Sequence, residues 1–122
     1  MKFSRDQLSE LSIRQVQPGS INFGERTFET DVSVSADGKV EEFEMPDIGS
    51  LSEGHLHTLL AGKPELIIVG TGWKHVFAPR ELVFALARRG IGLEAMDTPA
   101  ACRTFNILLA DARRLAAIFK VR

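Results

Sequence analysis

Two hydrophobic periods divide the chain. Residues 28–35, FETDVSVS, alternate: Phe28, Thr30, Val32 and Val34 fall on one face, Glu29, Asp31, Ser33 and Ser35 on the other. Successive side chains of a strand point to opposite faces of the pleat, so this pattern predicts a half-buried β-strand. Turn chemistry agrees. Pro18-Gly19 and Asp37-Gly38 punctuate the first third, and the second pair suits a tight hairpin because glycine accepts a positive φ. The first third is therefore predicted to be antiparallel β, with residues 39–45 as a returning strand.

From residue 50 the period shifts toward helical spacing. Ser50 and Glu53 have the spacing of a capping box for a helix carrying Leu51, Leu56, Leu59 and Leu60, ended by Gly62 and Pro64. The run ELIIVG, residues 65–70, predicts a buried strand. A second helix is predicted from Pro79, with Glu81 in its positive first turn, Arg88 and Arg89 at its negative end and Gly90 as its stop. GIGLEAM, residues 90–96, is the next strand, which makes a strand-helix-strand unit.

After Met96, Asp97 or Thr98 can cap a helix whose first position is Pro99, where a missing donor is harmless. Along that helix Cys102, Phe105 and Leu109 share one stripe, so the thiol is predicted to face the core as a small apolar group, with Arg103 and Asn106 together on a neighbouring face. Helical spacing continues through Ala101, Phe105, Leu108, Ala112, Leu115 and Phe119. Local pattern alone would run this helix almost to residue 122.

The segments QPGSINFGERTF, IIVGTG and GIGLEAMDTPAACRTFNILLADARR, with the Pro79 helix between them, resemble the Mth938-like family, a domain family of unknown function; the likeness covers nearly the whole chain and is most specific at MDTPAACRTFN. The resemblance implies a single α/β domain over residues 1–122 with a three-layer β+β/α fold. In that fold a mixed central sheet has helices on one side and a small antiparallel β layer on the other. It also implies a break near Asp111 and a final strand through LAAIFKV, which would bury Leu115, Ile118 and Val121. We adopt the strand, because helix propensity is a weak prior. Ala112 stands where relatives of this kind carry glycine.

Composition narrows the function classes. The 122 residues are 44% hydrophobic and 25% charged, with a net charge of -1, which gives no electrostatic reason to favour nucleic acid or an anionic membrane. No apolar run approaches the roughly 20 residues of a membrane span, and the opening MKFSRDQLSEL lacks the apolar core of a secretory signal. These features predict no membrane insertion and a cytoplasmic location. The single cysteine, Cys102, cannot make an internal disulfide and fits a reducing compartment.

Four groups of residues carry candidate chemistry. Gly70, Thr71 and Gly72 follow a strand and could expose N–H groups to phosphate, but the next helix begins only near Pro79, so a tight strand exit is the better reading. Cys102 beside Arg103 near a helix N-terminus has the electrostatics of a reactive thiol, against which stands its apolar stripe. His55 and His57 lie roughly 200° apart around a predicted helix and cannot share a metal, and His75 is in another loop. The fourth group is the strand-end cluster of Thr71, Trp73, Asp97, Thr98, Arg103 and Asn106. In open α/β sheets crevices form beyond the carboxyl ends of parallel strands, so the loops after Gly70 and Met96 could line one pocket. Structural duties compete there, with Asp97 capping its helix and Arg103 and Asn106 satisfying neighbouring carbonyls.

No Ser-His-Asp spacing, HExxH or phosphate-loop motif occurs, and no cofactor or metal site is predicted. Relatives implied by the resemblance include a mitochondrial complex I assembly factor and an adipogenesis-associated protein. The resemblance therefore implies a non-enzymatic module that acts through protein partners. The alternative is a small-molecule binder or unrecognised enzyme that uses the pocket of the two loops.

Overall fold

The computed structural model describes residues 3–111 and 113–122. The chain opens with helix α1, Arg5–Leu11, which has no counterpart in the periodic reading. Its signal was a capping box: the Ser4 hydroxyl accepts from Gln7 N at 3.2 Å, and Gln7 Oε1 accepts from Ser4 N at 2.7 Å.

Three short strands follow, β1 (Gln15–Gln17), β2 (Ser20–Asn22) and β3 (Thr27–Phe28), and they form a separate antiparallel sheet. Pro18-Gly19 turns β1 into β2, with Gly19 at φ 92°. The alternating run 28–35 is then divided between two sheets. Phe28 belongs to β3, whereas Val32–Val34 form β4 of the larger sheet. Alternation survives the crossing because both strands bury the same side of the chain, and a period of two carries no information on which partner a strand pairs with. Beyond β4, Ser35 N donates to Lys39 O and Gly38 adopts φ 89°, the expected hairpin; β5 is shorter than expected, Val40–Glu42.

The helix expected from residue 50 is mostly absent. A single 3-10 turn covers Ile48–Ser50, and α2 spans only His57–Ala61. The Ser50–Glu53 capping box does not form, because Glu53 pairs instead with Arg89 at 2.8 Å. Ser52 N donates to His55 Nδ1 at 3.0 Å, which holds a turn where the helix would have begun. Leu51, Leu56, Leu59 and Leu60 are buried all the same. Their spacing recorded burial, which irregular backbone achieves as well as helix.

The remainder follows the prediction closely. Strand β6 is Leu66–Gly70, helix α3 Arg80–Ala87, strand β7 Gly92–Met96, helix α4 Thr98–Leu109 and strand β8 Leu115–Phe119. Pro79 is the N-cap of α3, and Gly90 at φ 77° follows its end. Asp97 caps α4 by accepting from Ala100 N at 2.9 Å, and Thr98 takes the first position with Pro99 second, one place later than expected. The helix stops at Leu109 and β8 follows, so the final strand is correct and the continuous helix is not. Ala112 lies outside the described residues.

The larger sheet has the order β5-β4-β8-β6-β7, with β6 parallel to both β7 and β8 and β4 antiparallel to β8. Every residue of β6 and β8 is buried, as in a strand covered on both faces. Ile67, Val69, Ala116 and Ile118 face α2, α3 and the 3-10 turn, packing on Leu56, Leu59, Leu82 and Leu86. On the other face, Leu66, Ile68, Ala117 and Phe119 meet the small sheet through Ile21 and Phe23, and α4 through Ala101, Cys102, Phe105 and Leu109. The three layers are thus helices α2 and α3, the mixed sheet, and the small antiparallel sheet with α4 beside it.

Candidate functional site

Parallel register aligns the carboxyl ends of three strands, since Gly70 sits between Met96 of β7 and Phe119 of β8. Their three exits are bound to one another. Thr71 N donates to Met96 O at 2.8 Å, Lys120 N to Gly70 O at 2.9 Å and Thr98 N to Gly72 O at 2.7 Å. The Thr98 hydroxyl accepts from Gly72 N at 2.8 Å and donates to Lys120 O at 2.6 Å. That residue has no exposed surface, so one buried hydroxyl ties the β6 loop, the start of α4 and the end of β8. A Cβ on Gly70 would lie 3.0 Å from Thr98 Oγ1 and 3.2 Å from both Thr98 Cα and Phe119 Cδ1. Glycine is therefore required by close approach.

This packing decides between the readings of the Gly70-Thr71-Gly72 turn. The N–H groups of Thr71 and Gly72 already have internal acceptors, so they are not presented to a phosphate. Among the described residues, the two loops pack closely on each other. Thr98 and Phe119 fill the space over Gly70, and the Lys120 stem, 3.2 Å from a Cβ built on Gly72, fills the next.

Arg103 and Asn106 lie farther along α4 and do not join the loops. Asn106 Oδ1 accepts from Ile13 N and its Nδ2 donates to Ile13 O, both at 2.9 Å, so one side-chain amide pairs both backbone groups of a residue 93 positions away, as a neighbouring strand would. Arg103 is exposed and, among the described residues, makes no hydrogen bond or ion pair, so its expected role in satisfying carbonyls is not seen. Both residues line a cleft of about 270 Å³ with Ile13, Val16, Pro99 and Cys102. The strand-end cluster is thus two places: a closed staple at Gly70, Thr71, Gly72, Asp97 and Thr98, and a shallow cleft beside Arg103 and Asn106.

Cys102 is 4% exposed, on the predicted stripe with Phe105 and Leu109. Burial pushes its thiol up to about 12, and the nearby Arg103 charge only partly opposes this. A thiol held protonated is a poor nucleophile, which favours the packing role. The histidines are dispersed, with His55 in its turn with Ser52 and His75 edge-on against Phe77 at 4.5 Å. Among the described residues, no three His, Cys, Asp or Glu side chains gather around a possible metal position.

Trp73 stands on the outside of the β6 loop, 42% exposed, and Phe77 in the same loop is 81% exposed. Phe84 of α3 and Ile107 of α4 are the other large apolar side chains open to solvent among the described residues. The periodic reading singled out Trp73 and missed Phe77. Phe77 had the same signal, an aromatic in a loop between glycine and proline where no core period reaches.

Comparison with known proteins places these features in a lineage. A 13 kDa major membrane protein of Francisella tularensis subsp. holarctica is 36% identical over 59% of this chain and 58% of its own. The NADH dehydrogenase [ubiquinone] 1 alpha subcomplex assembly factor 3 of Danio rerio is 40% identical over 51% of this chain and 36% of its own. The match therefore spans a little over half of the first relative's length and about a third of the second's. A Mth938-like domain from Bordetella pertussis, solved in solution, superposes with a TM-score of 0.75 at 26% identity, covering 99% of this chain and 92% of that one. No described helix is long and apolar enough to cross a membrane. A family model matches residues 13–120, from the residue that Asn106 pairs to the carbonyl that Thr98 holds, and the chain belongs to that family, the proteins of unknown function described as DUF498/DUF598.

Proposed function

We propose that this chain is a non-enzymatic, assembly-factor-like module that acts by binding protein partners through the loop after β6. One observation carries the reading: Trp73 and Phe77 are held in solvent on a loop whose base is locked by buried hydrogen bonds. Tryptophan is a favoured interface anchor, and a pre-ordered loop loses little entropy on binding. The assembly-factor relative supports the same class of action. The staple residues Gly70, Thr71, Gly72, Asp97 and Thr98 support the loop from below, and Arg103 offers a free cation beside the second cleft. A cytoplasmic location belongs to the same proposal, on the strength of the free thiol at Cys102.

The test begins with partners captured by cross-linking in the native cell and identified by mass spectrometry. The Trp73→Ala variant should lose them while its melting temperature stays within a few degrees of wild type, since anchors are typically worth about 2 kcal/mol or more in binding. An unchanged partner set with folded Trp73→Ala would refute the reading. Arg103→Ala, which breaks no hydrogen bond or ion pair among the described residues, should leave stability unaltered and reports whether the α4 cleft takes part.

A further inference from the structure

The sequence around the exposed aromatics has a one-sided charge. The loop itself, residues 71–79, has no aspartate or glutamate and carries Lys74 and His75, and Arg80 follows as the first residue of α3, with Glu81 next to it as the nearest carboxylate in sequence. Lys74 and Arg80 are exposed and, among the described residues, form no ion pair. Arg80 also opens α3, where the helix dipole disfavours a cation. Local stability is therefore not what places it there.

We infer that the loop between Gly72 and Arg80 recognises a protein segment in which carboxylates flank an apolar anchor. The inference rests on the binding-module reading above and names the chemistry of the partner. Charge complementarity supplies the carboxylates, facing Lys74 and Arg80. Trp73 and Phe77 supply the apolar seat at two depths, one half-sunk against the fold and the other standing clear. The surface is also stiff: Thr71 Oγ1 donates to Lys74 O at 2.8 Å and accepts from Val76 N at 3.2 Å, while the His75 ring braces Phe77 edge-on. A fixed contour suits a partner of defined shape better than a fluid lipid surface.

Trp73 is the only tryptophan and the chain has no tyrosine, so its emission reports this loop alone. The probes are short synthetic peptides with a central Leu-Phe pair flanked by glutamates, the same peptide flanked by lysines, a glutamate peptide without the apolar pair, and vesicles of phosphatidylcholine with and without phosphatidylglycerol. The full glutamate peptide should shift Trp73 emission to the blue, weaken with added salt, and lose about 10-fold or more in affinity with Lys74→Glu combined with Arg80→Glu, both surface changes that leave the fold intact. No shift up to ~1 mM peptide, or an equal shift with the lysine peptide, overturns the inference. So does a shift produced by anionic vesicles alone, which would reassign the loop to lipid. If the peptides fail while Trp73→Ala still loses its cellular partners, the module reading stands and only the acidic chemistry falls.

Discussion

Replacing Thr98 with valine removes one oxygen and almost no volume, and it should be among the most damaging single changes near the strand ends. The hydroxyl it deletes accepts from Gly72 N and donates to Lys120 O. Valine satisfies neither, and each buried polar group left unpaired costs about 1–3 kcal/mol. Gly72 is buried and should bear the full cost, whereas Lys120 is only partly buried and water can reach its carbonyl. The total is then about 3 kcal/mol, a fall of about 10 °C in melting temperature for a chain of this size. Urea unfolding read by Trp73 emission and by far-ultraviolet circular dichroism measures it. The first reports the loop and the second the whole fold. Thr98→Ser keeps the oxygen and loses a methyl group, so it should cost only about 1 kcal/mol. If Thr98→Val lies within about 0.5 kcal/mol of wild type, or if serine and valine are equally damaging, the staple is not held by its hydrogen bonds and the reasoning fails.

Other expectations follow from neighbouring groups. Asn106→Asp replaces a donor facing Ile13 O with a carboxylate; only the protonated acid can restore the pair, so its folded pKa is raised above the usual value of about 3.9. The variant's deficit should therefore shrink as pH falls toward about 4 and be complete once pH has risen past the folded pKa, which denaturation curves across pH will show. Cys102 should react with a thiol reagent far more slowly in the folded protein than in urea. Because its folded pKa is raised to about 12, stability relative to Cys102→Ala should decline as pH rises above 9.0, by about 1.4 kcal/mol per pH unit. Gly70→Ala should cost about 1–3 kcal/mol by overpacking against Thr98 and Phe119, and thermal melts that match wild type would contradict that contact.

How much of this was legible in the sequence depended on whether a signal was local. Strand 66–70 was plain because a buried parallel strand is an uninterrupted apolar run, strand 92–96 because a short, mostly apolar segment broken only by Glu94 follows the glycine that stops α3, and Asp97 because a cap acts on its own helix. The helix expected from Ser50 failed because its marker, Glu53, was claimed by Arg89, 36 residues away, and no period records such a competitor. The end of α4 defeated local reading for a related reason. Leu115–Phe119 keep helical spacing, yet the sheet offers three paired positions on β4 and five on β6, and only the family resemblance carried that long-range information. At the candidate site, the Asp97 cap and the stripe position of Cys102 were foreseen. So was the service of Asn106 to a carbonyl, but not its partner Ile13, 93 residues off, nor the Thr98 staple, whose partner Lys120 lies 22 residues away.

The place of β8 has a consequence for the order of events in synthesis. Among the described residues it is the last strand in sequence and the middle strand of the larger sheet, with β5-β4 on one flank and β6-β7 on the other. Until residues 115–119 exist, the antiparallel and parallel halves have no strand between them, and each presents an unpaired edge of N–H and C=O groups. A nascent chain must therefore hold two unfinished half-sheets apart until residues 115–119 are made, when β8 closes both edges in one step. Such pairing across most of the chain is slow and exposed to misassociation. Substitutions in β8 should consequently lower the yield of folded protein in the cell by more than their equilibrium cost, because they act while both edges are still open.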